Sequence, residues 1–179
     1  TDVEFAQCFG MANLTDGTPV QPETNFRLAS VTKQFTAMAI LMLVDAGELS
    51  LDSRLTEIFP EFPAYGATVS VRHLLSNSSG LLSYAAMIPD SQTTQVKDRD
   101  VLKMMMAIDS TYFEPGTEFR YSNSGYAVLG EIIEKVSGIS YSAYLDKQIF
   151  QPLAMNNTVG FVDGVNTIPH RAYGYSVVG

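Results

Sequence analysis

"LASVTKQFTAMAILMLVDAG", Leu28 to Gly47, is the stretch on which the fold turns. From Phe35 to Val44 it is almost wholly apolar, the composition of a helix buried on all sides at the centre of a fold. Ser30 suits its N-cap, and Gly47 is placed to end it in a left-handed conformation. The apolar run is too short for a bilayer span, which needs about 20 such residues. Its head carries two polar groups one turn apart, Ser30 and Lys33. A serine hydroxyl is a weak nucleophile until a neighbouring base takes its proton. Spacing of three along a helix puts the lysine amine on the same face and within reach. Burial of that amine would favour its neutral, basic form. The N–H groups and positive dipole end of the helix start would steady a developing oxyanion. Roughly one S-x-x-K is expected by chance in a chain of this size. On this motif alone, a capping serine followed by a solvent-facing lysine stays open.

Outward from that helix the chain is globular in character. It has 179 residues, 46% hydrophobic and 17% charged, enough for one domain with a sizeable core. The net charge of −8 argues against a nucleic-acid partner, since phosphate binding needs a cationic face. Cys8 is the single cysteine, so an intrachain disulfide is excluded. No cationic segment precedes an apolar stretch at the start, so no signal peptide is visible. His73 and His170 are isolated, and no Cys/His pairing has metal-ligand spacing, so neither metal nor cofactor is expected. His73 in "VRHLL" reads as structural; His170 has no assignment.

"VEFAQCFG" alternates as a half-buried strand does, and "RAYGYSVVG" at the other extreme is strand-like. Asp16-Gly17 signals a turn. Helices are expected over roughly Val71–Leu75, over "RDVLKMMMAID" with Asp98 or Asp100 as cap, from near Ser124 to Gly138, and across "SAYLDKQIF" before Pro152. Leu102, Met105 and Met106 read as core filler. Val128, Leu129, Ile132, Ile133 and Val136 make one apolar stripe, with Glu131 and Lys135 as an (i, i+4) pair on the outer face. Just before this helix, "YSN" places Tyr121 and Asn123 on one side of an extended segment. A phenol there could shuttle a proton and an amide could hold a substrate carbonyl. A packing tyrosine and a helix-capping asparagine serve the same pattern equally well.

The surrounding sequence decides between these readings. "FRLASVTKQFTAMAILMLVDAGELSLD", "VRHLLSNSSGLLSY" and "FEPGTEFRYSNSGYAVLGEIIEKVSGISYSAYLDKQIFQPLAMNNT" together resemble the serine β-lactamase and penicillin-binding protein family. The similarity is to its branch of class C β-lactamases, D-Ala-D-Ala carboxypeptidases and β-lactamase-fold esterases, and covers about Phe9 to Thr158. It implies an α+β, β-lactamase/transpeptidase-like fold. Ser30 would attack a β-lactam, peptide or ester carbonyl to form an acyl-enzyme. Lys33 would assist as base in concert with Tyr121, which would also protonate the leaving group and help activate the deacylating water. Asn123 would position Lys33 and contact the substrate's amide side chain, and the Ser30 N–H would form half of the oxyanion hole.

Two departures from the family pattern stand out. Relatives commonly carry His-Thr where this chain has Asn77-Ser78, in a loop that is structural in the family. The family's third motif, K-T-G or H-x-G, would supply the other oxyanion N–H, and nothing after Thr158 matches it. The expectation is therefore a single incomplete domain: first strands and nucleophile helix over 1–47, a mostly helical region over 48–160, and the start of returning strands over 161–179. Absence of one oxyanion donor costs a serine hydrolase on the order of a hundredfold to a thousandfold. A missing sheet would bare an apolar face of the first helix, whose partner would be a missing C-terminal segment or a second copy of the chain. The expected substrate is a small molecule, peptide or ester. A periplasmic or secreted location is expected over a cytoplasmic one from the resemblance. The competing function is a non-catalytic scaffold or inactive fragment that binds a peptide or protein.

Overall fold

Fifteen residues beginning "NSGYAVLGEIIEKVS" supply the axis of the molecule. The computed structural model describes residues 3–176. Two strands, β1 (Met11–Asn13) and β2 (Thr18–Pro19), form an antiparallel pair. They are followed by helices α1 (Thr32–Asp45), α2 (Leu55–Ile58), α3 (Val71–Leu75), α4 (Asp98–Met106), α5 (Asn123–Ser137) and α6 (Tyr141–Leu145). The Ser122 hydroxyl accepts the Gly125 N–H at 3.0 Å and starts α5; Gly138, at φ +74°, ends it. The expected apolar stripe is realised: Val128, Leu129, Ile132 and Ile133 are fully buried, and α1, α3, α4 and α6 pack around α5. Ser124 is buried yet satisfied, donating to Leu82 O at 2.6 Å and accepting the Tyr84 N–H at 3.0 Å.

The turn at Asp16-Gly17 joins β1 to β2, with the Asp16 carboxylate accepting from the N–H and hydroxyl of Thr18. α3 occupies the expected Val71–Leu75, and His73 is structural, its Nδ1 accepting the Ser70 N–H at 3.3 Å. Leu102 and Met105 are buried, and Met106 packs against the core. Phe150 follows α6 in a π turn over Asp146–Phe150 and meets Phe35 of α1 edge-on at 5.5 Å, worth about 0.5–1.5 kcal/mol beyond its area.

Several expectations are corrected. Residues 3–9 are not a strand: they pair with no other segment among the described residues, and Val3, Phe5 and Phe9 are exposed. Alternation alone does not form a strand without a ladder partner. Near the other end, His170 to Tyr175 lies beside the hairpin, but its ladder contact is one isolated parallel bridge, Asn25 to Arg171. The strand-like reading of 177–179 lies outside the described residues. α1 is not buried on all sides. Thr36, Ala39, Ile40 and Leu43 face the core, whereas Met38 and Leu41 are 52% and 47% exposed. Neither Asp98 nor Asp100 is the N-cap of α4; Asp98 is its first residue, and the Asp100 carboxylate reaches back to the Lys97 N–H at 3.1 Å. Glu131 and Lys135 form no ion pair. Glu131 is half-buried instead, and its carboxyl titrates above its usual range through burial and the neighbouring Glu134, Asp98 and Asp100, with Arg99 opposing.

Candidate active site

Ser30 does not cap the helix. It lies in a 3-10 turn, Ala29–Val31, that feeds α1, whose N-cap is Val31. Ala29 holds φ +47°, a left-handed conformation that costs a non-glycine residue of order 1–3 kcal/mol. The chain thus bends sharply one residue before Ser30 and presents its hydroxyl outward. That hydroxyl makes no bond to a backbone N–H; it meets the Tyr121 hydroxyl at 2.7 Å and accepts from Lys33 Nζ at 3.3 Å. The Ser30 N–H lies in the opening turn, where backbone donors lack an intrahelical acceptor.

Lys33 stands one turn into α1, and its Nζ donates to Asn123 Oδ1 at 2.8 Å. Asn123 is therefore no cap. Ser122 fills that role and frees the Asn123 amide, the first residue of α5, for Lys33. Lys33 is half-buried, with Nζ 4.9 Å from the ring centroid of Tyr121 and 5.4 Å from that of Tyr126. An amide oxygen and two ring faces thus surround the amine. Tyr121 responds to that neighbour. Lys33 first, and the hydrogen bond with Ser30 second, hold its phenol below the ordinary tyrosine value, against a small opposing effect of burial. All four residues singled out from the sequence thus meet in one constellation, drawn from the head of α1 and the loop entering α5.

Tyr126 was not singled out. It sits three residues after Asn123 on the same face of α5, its hydroxyl donates to Leu75 O at 3.1 Å, and burial raises its phenol. The (i, i+3) spacing from Asn123 was the available signal. One turn beyond Lys33, the Thr36 and Tyr141 hydroxyls meet at 2.7 Å and tie α1 to α6. Nothing in the sequence marks that long-range pair. His170 makes no hydrogen bond to these four side chains; its carbonyl accepts the Asn25 N–H.

Among the described residues no three His, Cys, Asp or Glu side chains are grouped to hold a metal ion. None of the described helices is long and apolar enough to cross a membrane.

Comparison with known proteins places the chain as a whole. The family model described as Beta-lactamase matches residues 2–176. Penicillin-binding protein 4* of Bacillus subtilis is 38% identical over 180 residues, covering 97% of this chain and 39% of that protein. The D-amino acid amidase from Ochrobactrum anthropi SV3, solved with L-phenylalanine amide, superposes with a TM-score of 0.78 at 33% identity over 93% of this chain and 47% of that one. The octameric penicillin-binding protein homologue from Pyrococcus abyssi gives 0.73 at 38% identity over 87% of this chain and 37% of that one. The chain thus spans well under half the length of the curated relative it matches. The fold is β-lactamase/transpeptidase-like, mostly helical with a small antiparallel sheet, and the chain belongs to the serine β-lactamase and penicillin-binding protein family.

Proposed function

We propose that the protein is a serine hydrolase that works through an acyl-enzyme on Ser30, cleaving an amide-type carbonyl such as a β-lactam or a D-amino acid amide or peptide, or a carboxylic ester. The observation that carries this is the convergence on one hydroxyl: Tyr121 OH at 2.7 Å and Lys33 Nζ at 3.3 Å from Ser30 Oγ. A serine used only for structure has no need of two proton-handling groups.

The closer approach of Tyr121 to Ser30 Oγ, 2.7 Å against 3.3 Å for Lys33, with its lowered phenol, favours a specific division of labour. Tyr121, in its phenolate form, takes the Ser30 proton as Oγ bonds to the carbonyl carbon. Lys33 Nζ donates to Ser30 Oγ beside the phenol and is itself held by Asn123. The tetrahedral oxygen gathers charge beside the Ser30 N–H, at the positive end of α1. Tyr121 then returns the proton to the leaving amine or alkoxide as the carbonyl reforms. In the second half it takes a proton from water, which attacks the ester, and passes it back to Ser30 Oγ.

The relatives' names bear on the substrate. Two are penicillin-binding proteins by name and one is an amidase of D-amino acids, which favours amide-type carbonyls over simple esters. The test offers a fluorescent penicillin, D-phenylalanine amide and a p-nitrophenyl ester to the full-length protein, with intact-mass detection of the adduct. Acylation or turnover that Ser30→Ala abolishes supports the proposal. If all three reagents leave the wild type and Ser30→Ala alike, the protein is a non-catalytic scaffold.

A further inference from the structure

Tyr121 must be held in place by something other than packing. From Gly116 to Tyr121 the chain is exposed and irregular, and Tyr121 itself is 52% exposed. Burial begins again only at Ser122. What ties this strip down is the loop after α3. Gly80 O accepts the Tyr112 N–H at 2.7 Å, Ser78 O accepts the Gly116 N–H at 2.8 Å, and Asn77 makes the two bonds nearest the phenol. Its main-chain oxygen accepts the Arg120 N–H at 2.8 Å, and its side-chain Oδ1 accepts the Ser122 N–H at 3.0 Å. The two bonds straddle Tyr121.

The backbone of Asn77 makes this grip possible. α3 ends in a Schellman motif: Ser78 N–H donates to His73 O at 2.9 Å and Asn77 N–H to Leu74 O at 3.2 Å, with Asn77 at φ +55° in the left-handed position. Glycine is the usual residue there and asparagine the next. Only asparagine of the two offers a side-chain acceptor, and the left-handed turn leaves both its acceptors free for the neighbouring segment. A helix stop alone would be served at least as well by glycine.

We infer that Asn77 is a positioning residue for the acyl-transfer chemistry. Its paired acceptors fix the backbone on both sides of Tyr121 and so set the phenol against Ser30 and Lys33. Resting on the proposed role of Tyr121 as base, the inference extends the site to a residue that touches none of the reacting atoms.

The test separates the grip from the helix stop. In the full-length protein, Asn77→Gly keeps the left-handed turn and the main-chain acceptor but deletes Oδ1. Asn77→Asp keeps an acceptor and tolerates the turn. The expected result for Asn77→Gly is a fall in Ser30 acylation of tenfold or more with Tm nearly unchanged, and an acidic limb of the kcat/KM profile moved to higher pH as the phenol drifts from Lys33. Asn77→Asp restores most of the rate. Combining Asn77→Gly with Tyr121→Phe costs no more than Tyr121→Phe alone, because both act through one group. An Asn77→Gly rate within threefold of wild type overturns the inference, as does an equal loss in Asn77→Asp. If Tyr121→Phe is itself as active as wild type, the role of Tyr121 as base fails, independently of what the Asn77 variants do.

Discussion

Replacing Tyr121 by phenylalanine removes one oxygen from the centre of the site and little else. The ring stays 4.9 Å from Lys33 Nζ, so the contact between cation and ring face is kept. The side chain is about half exposed, so Tm should move little. What disappears is the 2.7 Å contact with Ser30 Oγ and, among the described residues, the phenol that meets its proton. A positioned acid–base group contributes about 10²–10⁴-fold to rate, or roughly 2.7–5.4 kcal/mol of barrier. If Lys33 were the base instead, its 3.3 Å approach to Ser30 would survive the substitution and the loss would stay below about tenfold. The assay is the single-turnover rate of Ser30 acylation by a chromogenic β-lactam and by an activated ester, followed across pH. Acylation rises with pH as Tyr121 ionises. Lys33 and Ser30 hold that ionisation below the ordinary value of 10.0, so the acidic limb of the wild type lies below 10. In Lys33→Ala the limb should move up toward 10, because the larger of the two causes is gone. A Tyr121→Phe protein within tenfold of wild type, with its acidic limb in place, would refute this assignment of the base.

Three further perturbations test the scaffold around the site. Glu131→Gln removes a carboxyl whose folded titration is raised by burial and by Glu134, Asp98 and Asp100; such a group favours the folded state below its unfolded value and weakens it as pH rises through the folded value. Thermal melts should show Glu131→Gln more stable than wild type at pH 7, with the gain gone near pH 4; a gain independent of pH would contradict this. Gly80 sits at φ +69°, and a Cβ there would collide with the Phe113 carbonyl oxygen, so Gly80→Ala should lose about 2–4 kcal/mol in urea unfolding. Thr36→Val leaves the Tyr141 hydroxyl without its 2.7 Å partner where α1 meets α6, an expected cost of about 1–3 kcal/mol with the shape of the core conserved.

What could be read in advance divides along the range of the interactions. The α5 stripe, the α3 boundaries and the Gly47 and Gly138 stops are local, set by periodicity of 3.6 and by left-handed φ, and they were legible residue by residue. The pairing of Ser30 with Lys33 was legible as spacing, because a helix converts a separation of three into proximity. Its meaning was not, since the partner hydroxyl lies 91 positions along the chain. The expectation that α1 is buried on all sides failed for a related reason. Apolar composition shows that α1 could be covered all round, but which neighbours cover it is a tertiary fact, and Met38 and Leu41 lie bare on one side. The capping reading of Ser30 failed because a serine before a helix has two competing uses for its oxygen: capping the backbone or facing a distant side chain. The left-handed Ala29 settles that competition by turning the hydroxyl away from the helix N–H groups and toward Tyr121. A strained residue directly before Ser30 is therefore a physical cause of the site's geometry. Alanine, a residue with no preference for that conformation, gave no sign of it in the sequence.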